Sequence, residues 1–119
     1  MRLLTSEQEE QLRASGAANA SRVARDQEPE DFQPVVKLFC PWGAATWLLT
    51  ELDANDPDIA FGLCDLGMGF PELGCVSLSE LGSICGPGGL RIERDLYFTP
   101  FKTLQGYAEE ARGASRIVT

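Results

Sequence analysis

The residue pattern predicts an α+β fold, a four-stranded antiparallel sheet with short helices packed on it. Three observations carry that prediction. Four apolar runs lie between residues 34 and 77, each bounded by Pro, Gly, Asp or Asn turn formers. The connections between them are too short for the helical crossover that parallel strands require. Ser- or Thr-led helix-capping signals flank the runs on both sides. With 119 residues, 44% of them hydrophobic, the chain is expected to be a single domain, residues 1–119, around one core. Within it, 1–33 reads as an N-terminal helix and surface connector and 34–119 as the sheet and its helices.

Taken in order, Ser6-x-x-Glu9 fits a capping box, and acids at 7, 9 and 10 suit a helix N-terminus. A short helix to about Ala14 is expected. Residues 15–33, rich in Ala, Ser and acids with Pro29, read as a surface connector with a helical turn near 20–25. Val35-Val36-Lys37-Leu38-Phe39-Cys40 is apolar on both faces, as in an interior strand. A turn at Pro41-Trp42-Gly43-Ala44 leads to a second strand over 46–52. The polar loop 53–58 leads to a third over 59–65. There, Ile59, Phe61 and Leu63 occupy one face. Ala60, Gly62 and Cys64 occupy the other, small enough for close approach of another element. A fourth strand spans 72–77. Ser77-x-x-Glu80 opens a helix to about Ile84, stopped at Gly86-Pro87-Gly88-Gly89. Residues 90–98 read as irregular or a short edge strand. Thr99-Pro100 is the expected cap of a last helix, with Phe101, Leu104, Ala108 and Ala111 on one face.

Composition excludes several function classes. There are 18 acidic and 10 basic residues, a net charge of −8. Such a surface repels phosphate backbones, so direct nucleic-acid binding is not expected; it is compatible with a basic protein partner and equally with plain solubility. The chain has no histidine, which removes the usual general base and the Ser-His and Cys-His pairs. Four cysteines, Cys40, Cys64, Cys75 and Cys85, lack the close pairs of a zinc site and read as reduced core residues. No cofactor is called for. The apolar start gives way at once to Thr-Ser-Glu-Gln-Glu-Glu, too short for a signal peptide, and no run approaches a membrane span. A cytoplasmic protein, not a membrane one, is expected.

Each candidate site has a plain structural reading beside the functional one. Asp53, Asp56 and Asp58, with Asp65 and Glu72, offer oxygen ligands for Mg²⁺, or else form an acidic turn. Arg91, Glu93, Arg94 and Asp95 alternate in sign, as expected of a network pinning the segment to the sheet. Arg91, Arg94 and Tyr97 together would alternatively make a small-ligand pocket. Trp42, in a turn, is a candidate exposed anchor, whereas Trp47 is expected in the core.

Leu3-Leu4-Thr5, Pro34-Val-Val-Lys-Leu-Phe39, Ala45-Thr-Trp47 and Asp58-Ile-Ala-Phe-Gly-Leu63 carry a family resemblance. So do the stretches 77–81, 86–90 and 92–98. Together they resemble a bacterial family of domains of unknown function carried on plasmids, integrative elements and phages. The resemblance covers about residues 34–107 with a short N-terminal echo, and residues 15–33 are variable in such proteins. It implies a compact α+β domain from a mobile element, found beside conjugation and defence-evasion genes, with no active site to carry over. A single-strand endonuclease label attached to some relatives finds no matching residues here. The expectation is a non-enzymatic accessory protein that binds a host or plasmid protein, for instance as an anti-CRISPR or anti-restriction inhibitor. The alternatives are a metal-dependent single-strand nuclease and a small-ligand-binding module.

Overall fold

Strands form where the apolar runs predict them: β1 (Val36–Phe39), β2 (Thr46–Leu52), β3 (Ile59–Asp65) and β4 (Glu72–Ser77). The computed structural model describes residues 3–119, so Met1 and Arg2 lie outside it. The sheet has five strands, not four. β5 (Glu93–Arg94) adds to the far side of β1, giving the order β4-β3-β2-β1-β5 with every pair antiparallel. Its two residues carry no apolar alternation, and of the two readings of residues 90–98, irregular or a short edge strand, the strand holds at Glu93–Arg94. Backbone pairing holds it instead, Leu38 opposite Arg94 and Asp95 N donating to Lys37 O at 2.9 Å.

The largest departure from expectation is α1 (Ser6–Ala24), which runs ten residues past the expected end at Ala14. Most of the supposed connector is therefore helix. Ala has the highest helix propensity, and five alanines lie between residues 14 and 24. The cap also falls one residue earlier than expected: Thr5 Oγ1 accepts from Gln8 N, and Gln8 Oε1 accepts from Thr5 N. Along α1 the buried residues are Leu12, Gly16 and Asn19. That face is narrow because the helix lies directly on β2, where a Cβ at Gly16 would collide with the Leu52 carbonyl. A glycine here allows contact at backbone distance.

Both faces of the sheet are covered. Leu12 of α1, Leu81 of α2 (Leu78–Ser83) and Ile92 pack with Val36, Leu38, Trp47, Leu49 and Leu52 on one side. Leu104, Tyr107, Ala108 and Ala111 of α3 (Leu104–Ala114) pack with Leu48 and Leu63 on the other. Trp47 is buried as expected. The cap of α3 is Thr103, not Thr99. Phe101 consequently precedes the helix and stays exposed, its ring edge-on to Tyr107 at 5.8 Å. Residues 31–32 complete that cap: Leu104 N donates to Phe32 O and Gln105 N to Asp31 Oδ1. The segment after α1 thus ties the two helices together across the end of the sheet. Among the described residues no helix is long and apolar enough to cross a membrane.

Candidate functional site

A one-residue bulge in β2 creates the most distinctive site. The register runs Leu49 opposite Gly62, then Glu51 opposite Phe61, leaving Thr50 as the extra residue. After the bulge, Leu52 rejoins Leu49 on the α1 side, while Glu51 turns to the side of Phe61. Thr50 itself is buried, its hydroxyl donating to Phe61 O at 3.4 Å. The sequence Thr-Trp-Leu-Leu-Thr-Glu-Leu is apolar at 47, 48, 49 and 52 with no period of two, so it gave sequence reading no clear sign of the bulge.

Glu51 lies in a cleft of about 490 Å³ between the C-terminal half of α1 and the outer strands. Ala20 and Val23 of α1 form one wall, and Ile59, Phe61 and Cys75 the other. A second hollow, also about 490 Å³, shares Asn19, Pro29, Glu51 and Phe61 with the first and continues to the start of α3. Asn19 holds the junction. Its Nδ2 donates to Glu51 Oε2 at 2.7 Å and to Glu30 O at 3.3 Å, and its Oδ1 accepts from Glu30 N at 2.7 Å. Burial pushes the Glu51 carboxyl above the usual carboxylate range, with the Asn19 hydrogen bond opposing it. Five acids line the two hollows, Glu51 and Asp53 in the first and Glu28, Glu30 and Asp31 beside Glu51 in the second; no basic side chain lines either. A partly desolvated carboxylate between apolar walls, with further acids nearby, has the chemistry to accept a cation carried on an apolar stem.

The residues singled out from sequence are not brought together. Asp53 lines the cleft, but its Oδ1 accepts from Asn55 N and Asp56 N, and Asp56 Oδ1 accepts from Asp58 N. Asp58 caps α2. It accepts from the Ser77 hydroxyl at 2.6 Å and from Ser79 N and Oγ, bonds that hold its carboxyl below the usual range. Asp65 is buried and accepts from Gly67 N and Ile117 N, fastening the β3–β4 turn to the chain after α3. Glu72 is exposed at the start of β4. Among the described residues no three His, Cys, Asp or Glu side chains converge as metal ligands.

Trp42 is not an exposed anchor. It is half-buried against the α1-side core, with Gly86 so close that a Cβ there would overlap its ring. Arg91 donates to Gly82 O, Asp95 pairs with Lys37 at 3.5 Å, and Arg94 lies on β5. Tyr97 is 92% exposed. None of Arg91, Arg94 and Tyr97 lines the cleft. The cysteines differ from expectation as well. Cys40 and Cys64 are half-buried and Cys75 and Cys85 exposed, all with free thiols. Burial, followed by the nearby Cys75, pushes the Cys64 thiol up to about 11, so it stays un-ionised at neutral pH.

A family model described as "Protein of unknown function (DUF2958)" matches residues 3–118. The chain belongs to this family. The matched span includes α1 and the segment after it, so the family unit is wider than the 34–107 stretch that carries the sequence resemblance. The cleft, formed by α1 and the sheet together, lies within it. No curated protein and no solved structure matches the chain.

Proposed function

We propose that the protein is a non-enzymatic accessory of a mobile element that acts by binding a basic segment of a host or plasmid protein in the acidic cleft. One observation carries this reading: a cleft with apolar walls, lined by Glu51 and Asp53 and joined to a hollow that adds Glu28, Glu30 and Asp31, with no basic side chain lining either. Lys and Arg side chains present an apolar stem under a cationic head, which matches the walls and Glu51 in turn. The net charge of −8 draws such a partner in by long-range attraction. The partner class that fits is a CRISPR or restriction complex whose basic groove normally holds nucleic acid. The mobile-element setting comes from the sequence resemblance.

A photo-crosslinking residue at Val23, which lines the cleft, and another at Gly113, exposed on α3, test this in the natural host. The expected result is one crosslinked protein at Val23, joined through a Lys- or Arg-rich segment, and none at Gly113. Equal products at both positions, or none at Val23, would contradict it.

A further inference from the structure

The two edges of the sheet are finished differently. β5 closes one with two residues, followed at once by the Asp95–Lys37 ion pair. β4 forms the other with six residues, and no described element pairs with its outer side. The ladder fixes which groups face outward. Leu78 N donates to Asp58 O at 2.8 Å, and the register continues through Val76 opposite Ala60 and Gly74 opposite Gly62. Glu72, Gly74 and Val76 therefore turn their backbone groups to β3, while Leu73 and Cys75 turn theirs to the open edge.

Exposed edges are usually blunted by lysine, proline, a bulge or a covering element. On β4 such features stop at its start, with Pro71 just before it and Glu72 its first residue; Leu-Gly-Cys-Val-Ser continues uncharged, paired to β3 without a register shift. Cys75 is exposed, and space is open where a Cβ on Gly74 would stand. Cys75 also lines the acidic cleft, so edge and cleft form one continuous surface.

We infer that β4 is a docking rail on which an extended, basic segment of the partner adds as a sixth strand. The inference rests on the reading of the protein as an interaction module and specifies how the partner enters. Backbone hydrogen bonds to Leu73 and Cys75 supply the grip, and alternate side chains supply the selectivity. Charge argues for the kind of occupant. A second copy of this chain would bring another −8 to the same edge, whereas a Lys- or Arg-bearing strand meets Glu72 and the lining acids of the cleft.

Amide hydrogen exchange on the full chain tests this with a peptide of alternating Lys and Val, and a Glu-Val peptide as control. The expected result is exchange slowed about tenfold or more at Leu73 and Cys75 with the Lys-Val peptide only. Cys75→Pro removes an outward N–H and no ladder bond, and should abolish the effect. Cys75→Lys, which keeps the backbone intact, should weaken it by repulsion. Gly113→Ala, exposed on α3 and away from both β4 and the cleft, should leave it in place. Responses confined to Ala20, Val23 and Phe61 would overturn the rail while leaving the cleft as the binding site. Slow exchange at Leu73 and Cys75 without peptide, with a dimer in sedimentation, would overturn it in favour of a second copy. No response anywhere would remove both readings.

Discussion

At Glu51 position and environment conflict. Its carboxyl is drawn out of water by the bulge and is paired with an amide, not with a cation. Because its folded-state pKa is raised, protonation favours the fold. The penalty for ionising it is absent in acid and grows as pH rises through the folded value. Glu51→Gln keeps the hydrogen bond from Asn19 and removes the charge. It should raise thermal stability at neutral pH by less than about 1 kcal/mol, since solvent still screens a half-buried group. The gain should vanish below the ordinary carboxylate range. Melting curves at pH 7 and in mild acid check this, and an equal shift at both would show that the carboxylate is not desolvated. If the partner brings a cation, the same substitution weakens binding while it strengthens the fold.

At the level of elements, α1 decides whether the cleft exists. Its contact with β2 depends on Gly16 lying against the Leu52 carbonyl. Gly16→Ala would improve helix propensity by about 1 kcal/mol. Overpacking costs about 1–3 kcal/mol, and more where the neighbour is rigid backbone, so the net effect should be loss of stability. Chemical denaturation checks this; a stabilised variant would mean that α1 does not sit at that distance. Four strands, the α2 cap at Ser77 and the buried Trp47 were readable from apolar periodicity and turn chemistry. The second half of α1 was not, because its buried face is made of Gly and Asn, which carry no hydrophobic signal. β5 was legible only as one of two alternatives for residues 90–98, being two charged residues held through backbone bonds. The cleft depended on both the bulge and the full length of α1, so neither Glu51 nor Asn19 stood out in the sequence. The acids that did stand out, Asp58 and Asp65, are engaged in capping and fastening.

Over the whole molecule, the excess of acids acts at two ranges. In the proposed reading, charges spread over the surface attract a basic partner from a distance and are screened beyond about 8 Å at physiological salt. The lining acids act only once the partner has entered the cleft. Association should therefore slow as salt rises, while dissociation follows the fit within the apolar walls. The measurement that addresses the cleft most directly is the affinity of the Val23-crosslinked partner for Ala20→Trp, whose indole would occupy the cleft from the exposed side of α1. The account predicts binding weaker by tenfold or more, about 1.4 kcal/mol, with an unchanged melting temperature. Unchanged affinity in Ala20→Trp, together with loss of binding in Arg91→Ala or Tyr97→Ala, would contradict it and place the site on the opposite edge of the sheet.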